Sequence, residues 1–258
     1  MTFKIATWNI NSLRVRLPHV QTWMTDVKPD VLALQEIKMP TEDFPHEVFL
    51  EMGYQAIVSG QRTYNGVAIL SKKEAGDVVT DIHGLDDPQR RVLGATIQDI
   101  RVLDLYIPNG ESVGSEKYKY KLHWLEKLDS FLKAQLKQYP KMIILGDFNI
   151  APEEIDVYDP NAWENSVLFS EPERAAFKKM LKLGFRDCFR QLAPDEQSYS
   201  WWDYRMNAFR RKMGLRIDHI LASDALFPAC KSCHIDPAPR KWERPSDHAP
   251  VVAEFKLT

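Results

Sequence analysis

Eight short apolar runs punctuate the chain, and several stop abruptly at a carboxylate, an amide or an imidazole. They are Phe3–Trp8, Val31–Gln35, Val67–Leu70, Val92–Ile97, Val102–Ile107, Met142–Leu145, Ile217–Leu221 and Val251–Phe255. Their short length and β-branched content predict strands, several buried on both faces. Between them, Leu122, Leu125, Leu128, Leu132 and Leu136 recur at spacings of three and four, the apolar stripe of an amphipathic helix. Ser170 with Glu173 reads as a capping box opening a helix through Leu183. Strands outnumber helices without strict alternation, which predicts α/β architecture with packed sheets flanked by helices rather than a simple βαβ repeat. The 258 residues carry no internal repeat and no Gly/Ser linker, so one domain over residues 1–258 is expected.

Composition narrows the class. Hydrophobic residues make up 44% and charged residues 27%, which excludes disordered and fibrous chains. No stretch is long and apolar enough for a membrane span, and the opening MTFKIATWNINSLR is too polar for a secretory leader, so a cytoplasmic protein is expected. The three cysteines, Cys188, Cys230 and Cys233, then read as reduced thiols. With 34 Lys and Arg against 36 Asp and Glu, the net charge of −2 excludes a histone-like polycation but leaves room for a local basic patch. One exists. Arg205, Arg210, Arg211, Lys212 and Arg216 put five positive charges in twelve residues with no acid among them, just after Trp201, Trp202 and Tyr204. A basic loop beside aromatics suits phosphate contact with stacking or wedging at a base step; the same composition also describes a solvated face over a core aromatic pair.

The polar residues at the strand ends carry the chemistry. Phe3–Trp8 runs into Asn9 and Asn11, Val31–Gln35 into Glu36, Val102–Tyr106 into Pro108 and Asn109, and Met142–Leu145 into Gly146, Asp147 and Asn149. Ser246, Asp247 and His248 precede the last strand. Converging ends would make a carboxylate, amide and imidazole cluster on a rigid scaffold. Hard oxygen ligands suit Mg²⁺ or Mn²⁺. In such a site Glu36 can hold a metal, Asp147 can activate water, His248 can contact a phosphate oxygen and Asp218 can orient that imidazole. Phosphoryl transfer is the reaction that combines these parts. Taken singly, each also fits a plain structural role: a solvated Glu36, a Gly-Asp-Phe-Asn turn, an Asx turn before the last strand, a core Tyr106.

Taken together and in order, these residues resemble the exonuclease III family of DNA-repair nucleases, within the endonuclease/exonuclease/phosphatase superfamily. The resemblance runs from Thr7-Trp8-Asn9-Ile10-Asn11-Ser12-Leu13-Arg14 to Pro245-Ser246-Asp247-His248-Ala249-Pro250. It passes through Leu34-Gln35-Glu36-Ile37-Lys38, Tyr64-Asn65-Gly66, Gln89-Arg90-Arg91, Gly146-Asp147-Phe148-Asn149 and Gly214-Leu215-Arg216-Ile217-Asp218. Ser200-Trp201-Trp202-Asp203-Tyr204-Arg205 fits the bacterial branch. The resemblance implies a DNase I-like four-layer sandwich, two mixed β-sheets with helices outside. It implies metal-dependent hydrolysis of DNA phosphodiesters: incision 5′ to abasic sites, 3′→5′ exonuclease action on duplex DNA, and removal of 3′-blocking phosphate.

By the same resemblance Glu36 is the main metal ligand, with Asn9, Asn11, Asp147, Asn149, Asp247 and His248 around the metal. Asp147 positions or deprotonates the attacking water and Asn149 orients it. Tyr106 and Asn109 hold the phosphate, and His248, backed by Asp218, binds a non-bridging oxygen. Arg90, Arg91, Trp201, Arg205, Arg210, Arg211 and Lys212 contact double-stranded DNA at abasic sites, nicks or recessed 3′ ends, with Trp201, Leu215 and Ile217 walling a pocket for an extruded sugar. A monomer is expected.

Two other readings compete. A superfamily phosphoesterase acting on an inositol phosphate or phospholipid shares Glu36, Asp147 and His248; the aromatic segment and basic loop argue against it. Cys230-Lys231-Ser232-Cys233-His234 matches the C-x-x-C-H pattern of c-type haem attachment, and otherwise places two thiols in a loop. Finally, Asn165-Ser166-Val167-Leu168-Phe169-Ser170 carries Val167 and Leu168 where family members active at internal abasic sites often have smaller residues. If both face DNA, they favour 3′-end processing over abasic incision.

Overall fold

In the computed structural model, which describes residues 1–257, all eight predicted runs are strands and four more join them. The strands are β1 (Thr2–Asn9), β2 (Val31–Gln35), β3 (Gln55–Ser59), β4 (Val67–Ser71), β5 (Ala75–Val79) and β6 (Val92–Ile97), followed by β7 (Ile100–Tyr106), β8 (Met142–Asp147), β9 (Phe185–Asp187), β10 (Asp218–Ser223), β11 (Cys230–Ile235) and β12 (Val251–Lys256). Six α-helices accompany them: α1 (Leu13–Val27), α2 (His46–Glu51), α3 (Glu116–Gln138), α4 (Pro160–Trp163), α5 (Glu171–Lys182) and α6 (Cys188–Leu192).

The strands form two six-stranded sheets, ordered β11-β12-β1-β2-β4-β3 and β5-β6-β7-β8-β10-β9. Each is mixed, with one parallel pair: β1 beside β2, and β7 beside β8. A parallel pair needs a crossover, and α1 and α3 supply the two. One core lies between the sheets, built from residues such as Ile5, Ala33, Val102, Leu145 and Ala253. The outer face of the first sheet packs under α1 and α2 through Trp8, Leu34, Val20 and Trp23, and that of the second under α3 and α5 through Ile144, Leu125, Leu128 and Phe177. Four layers result, helix–sheet–sheet–helix, and the central strands are apolar on both faces because both are covered.

This topology places the site. The four strands of the two parallel pairs end at one edge, delivering Asn9, Glu36, Tyr106 and Asp147 there. Antiparallel β10 begins where β8 ends, with Asp218 opposite Asp147. Antiparallel β12 likewise begins near the end of β1, with Val251 opposite Thr7, so residues 246–248 arrive at the same edge.

The capping box at Ser170 and Glu173 is present, and α3 opens on Ser115, whose Oγ accepts from the Tyr118 amide at 3.1 Å. The segment holding Cys230 and Cys233 is not a loop but strand β11, with a register shift between Cys230 and Ser232. An extra residue at a bulge lets positions three apart point the same way. Both thiols accordingly face the inter-sheet core and His234 is exposed, so the C-x-x-C-H pattern presents no open face for a porphyrin.

Candidate active site

Ten of the predicted residues meet at the shared edge, and hydrogen bonds link most of them. Asn9 Nδ2 donates to Glu36 Oε1 and to Asp147 Oδ2, both at 2.9 Å, so one amide joins a carboxylate from each sheet. Its Oδ1 accepts from the Asn11 amide at 3.0 Å. Asn149 sits just past β8 at φ 50°, a left-handed conformation that Asn tolerates. Its backbone N–H donates to Asp147 Oδ1 at 2.9 Å, and its Nδ2 donates to Asp147 Oδ2 at 3.2 Å. Asn109 Nδ2 in turn donates to Asn149 Oδ1 at 3.0 Å. On the other side, His248 Nδ1 donates to Asp218 Oδ2 at 2.9 Å, while Nε2 lies 3.8 Å from Asp147 Oδ2. Asn11 Nδ2 donates to Asp247 Oδ1 at 2.9 Å, and Trp201 Nε1 to Asp247 Oδ2 at 3.0 Å.

Gly146 makes the turn into Asp147 possible. It has φ 137°, and a Cβ there would lie 1.9 Å from the Leu105 carbonyl oxygen on the neighbouring strand. No side chain fits without parting β7 from β8.

Burial sets the charges. Asp147 is 1% exposed, and this, with Asp218 and Glu36 nearby, pushes its carboxyl up to about 7 against the opposing pull of His248 and Asn9. Burial alone would lower His248, but Asp218 and Asp147 outweigh it and hold the imidazolium to about 10. Glu36 is disfavoured by burial yet stays below its ordinary value, because Lys38 and Asn9 bond its oxygens. Burial and the Glu36 charge keep the Tyr106 phenol protonated, well above its usual value.

Ligand atoms of Glu36, Asp147 and His248 lie within 4.8 Å of one another. The two carboxylates fit a hard divalent cation. Asp218 and Asp147 hold His248 as an imidazolium, and Asn9 turns its N–H groups, not its carbonyl, towards the carboxylates. Asn149 likewise spends Oδ1 on Asn109. In this structure Asn9 and Asn149 orient Asp147 through their N–H groups, and His248 stands with Glu36 and Asp147 in the cluster that could hold the ion. Lys38 Nζ lies 2.8 Å from Glu36 Oε2 and donates to Asn11 Oδ1 at 2.6 Å, a positive charge in the cradle of oxygens beside Glu36.

The sequence pattern of the endonuclease/exonuclease/phosphatase family matches residues 6–248, nearly the whole chain. The chain belongs to that family. Among curated proteins it is 36% identical to the exodeoxyribonuclease III of Haemophilus influenzae, over 98% of this chain and all of that one. Among solved structures it is similar to a 3′ phosphatase from Neisseria bound to a product DNA hairpin, with TM-score 0.98 and 47% identity over 99% of this chain and 100% of that one. An AP endonuclease from Archaeoglobus fulgidus follows at TM-score 0.96 and 42% identity, again over 99% and 100%. The expected DNase I-like arrangement of two mixed sheets flanked by helices is the one these neighbours share.

In this endonuclease/exonuclease/phosphatase protein Arg216, Leu215, Ile217 and Leu168 are buried, which departs from expectation. Arg216 is not part of the basic surface: it is 1% exposed and bonded to Asp156 and Asp187. Arg205 is exposed but forms a bidentate pair with Asp203. Arg210, Arg211 and Lys212 are exposed and form no ion pair among the described residues, so three free cations remain on the loop. Leu215 and Ile217 do not wall an open pocket; both are buried with Leu168 and Phe169 beneath half-buried Trp201. Leu168 is 4% exposed and faces this cluster rather than a substrate. Arg90 pairs with Asp81, and Arg91 stacks 4.5 Å over the Tyr106 ring. A cleft of about 700 Å³ opens beside Asn109, bordered by Tyr64, Gln89, Arg91 and Lys117.

Below the basic loop, His219 Nε2 donates to the Ile150 carbonyl at 2.9 Å and Nδ1 accepts from Arg216 at 3.0 Å, which fixes a neutral tautomer. Burial and Arg216 lower its pKa to about 4. An unfolded histidine titrates near 6.5, so the stability tied to His219 is fully present above that value. It is lost as pH falls from about 6.5 to 4, by roughly 3 kcal/mol in full. Urea unfolding at pH 7.5 and pH 4.5 should show this loss in wild type, and His219→Gln should lack that share of it. An unchanged pH dependence in the variant would contradict the assignment.

Proposed function

We propose that the chain is a DNA-repair nuclease acting as one catalytic domain, a cytoplasmic monomer that hydrolyses the P–O3′ bond of duplex DNA with Mg²⁺ or Mn²⁺. The observation that carries this reading is Asp147, dehydrated, held by Asn9 and Asn149, and facing the imidazolium of His248. Asp147 takes the proton of the attacking water as its oxygen bonds to phosphorus, the P–O3′ bond breaks, the leaving 3′ oxygen takes a proton from solvent, and Asn149 fixes the direction of approach. His248, kept protonated by Asp218, stabilises charge on a non-bridging oxygen, and Tyr106 and Asn109 hold the phosphate from the other side. A hard cation bound at Glu36 supplies further neutralisation of the phosphate when present. Arg210, Arg211 and Lys212, exposed on the loop next to Trp202 and Phe209, supply sequence-independent phosphate contacts.

Abasic incision, exonuclease action and 3′-phosphate removal all break the same P–O3′ bond. They differ in what lies beyond phosphorus: a continuing strand, one nucleotide, or nothing. Selection among them is steric. Val167 is half-buried, its methyl 3.2 Å from where a Gly110 Cβ would sit, next to Asn109. Bulk there narrows the space beyond the phosphate and favours 3′ ends.

Purified protein assayed on a 3′-phosphate nick, a recessed 3′ end, an internal abasic site and a phosphoinositide tests both levels. Turnover of the three DNAs and not the lipid is expected, with abasic incision the slowest. Val167→Gly should raise the ratio of incision to 3′-phosphate removal by about 10-fold, the scale of one misfitted group in a site. A ratio unmoved in the folded variant removes Val167 from substrate choice, and phosphoinositide turnover alone removes the nuclease reading.

A further inference from the structure

Lys121, on α3, is fully buried, a location lysine rarely occupies unless paired. Its ammonium has three protons and three acceptors. It bonds Glu173 Oε1 on α5, the Asn149 carbonyl at 2.6 Å and the Asn109 carbonyl at 3.1 Å. Glu173 also accepts from the amides of Leu168 at 3.0 Å and Ser170 at 3.1 Å, and from Ser170 Oγ. One dry network therefore joins two helices, the segment 168–170, and the two loops that follow β7 and β8.

We propose that Lys121, neutralised by Glu173, is a positioning residue for hydrolysis: it fixes the backbones of Asn109 and Asn149, so that the Asn109 amide meets Asn149 Oδ1 and the Asn149 amide meets Asp147. This rests on the phosphodiester reading above. Lys121 has no exposed surface and cannot touch substrate. A buried ion pair is not needed to hold α3 against α5, because dehydrating two charges is costly and an apolar pair of similar volume holds helices as well or better. An apolar pair cannot give two buried carbonyls their donors. Without those donors the loops settle elsewhere, and small displacements of orienting groups are expensive in rate.

The test uses a nicked duplex carrying a 3′-phosphate, with MgCl₂. Lys121→Met/Glu173→Leu removes both charges together, leaving none unpaired. The expected result is a fall in kcat of about 10-fold or more, with KM within about 3-fold of wild type, in a variant that unfolds earlier than wild type, because buried carbonyls and amides lose partners, but is folded at the assay temperature. In an Asn109→Ala/Asn149→Ala background the same pair of changes should cost no more than about 2-fold further, because the side chains it positions are gone. Near wild-type kcat, or an equal loss in both backgrounds, overturns the proposal; the second marks a general structural effect. Lys121→Gln/Glu173→Gln, which keeps hydrogen bonding without charge, covers failure of the apolar pair to fold. It should retain about a third or more of wild-type kcat, and a loss beyond about 10-fold overturns the proposal. Failure of the nuclease reading is visible separately, as absent turnover by wild type itself.

Discussion

Replacing Asp147 with Asn should lower kcat by at least ~10²-fold on a 3′-phosphate nick, the range expected when a general base is lost, while DNA affinity changes little. The substitution keeps the side chain's size in a position that is 1% exposed, so the fold is preserved and the chemistry is isolated. Asn9 and Asn149 direct N–H groups at both Asp147 oxygens, and an amide can accept at only one of them. Its NH₂ cannot take a proton from water. With the Asp147 carboxyl raised to about 7, the sign of the pH response follows: activity rises as pH increases through neutrality and the base ionises. Asp147→Asn should be slow and lack that rise. Single-turnover rates from pH 5.5 to 8.5, with fluorescence anisotropy for binding, check both parts. A variant that cuts at near wild-type rate would remove Asp147 from the role of base.

The part of this site that was legible in the sequence is the part built on buried strands. Glu36, Asp147 and His248 stand out because each adjoins an apolar run, and topology then carries those strand ends to one edge. Edge strands were harder to see. β3 and β5 are half-exposed, β9 has three residues and β11 is bulged, so none shows a continuous run or clean alternation. Helix α1 carries Pro18 in its interior, where the sequence argues for a break.

Charge is less legible for a different reason. Arg216 lies in a basic stretch, but its partners Asp156 and Asp187 are 60 and 29 residues away in sequence, which a local count cannot register. Lys121 does leave a signal: it continues the stripe of Leu125, Leu128 and Leu132 at helical spacing, which puts a cation towards the core. Lys38, two residues past Glu36, carried no such signal. Its meeting with Glu36 depends on left-handed backbone at both positions, φ 51° and 52°.

Chelation should have the larger effect on the whole enzyme. EDTA should reduce cleavage to background, and Mg²⁺ or Mn²⁺ should restore it, because two close carboxylates without a cation oppose an anionic phosphate. Glu36 separates this from a general salt effect. Like Asp247 it is kept below its ordinary pKa in spite of burial, and here the causes are Lys38 against one oxygen and Asn9 against the other. A divalent ion bound there would compete with Lys38 for that oxygen with twice the charge. Glu36→Gln removes the charge but keeps the Asn9 contact, so the variant should fold and should need at least ~10-fold more metal for half-maximal activity. Binding can be read without turnover. Ligand that binds only the folded state raises stability by about 2.7 kcal/mol at a hundred times its Kd, so MgCl₂ should raise the wild-type unfolding midpoint and leave that of Glu36→Gln nearly still. Full activity in EDTA, or the same metal requirement in wild type and variant, would place the cation elsewhere and leave Glu36 as a partner of Lys38 alone.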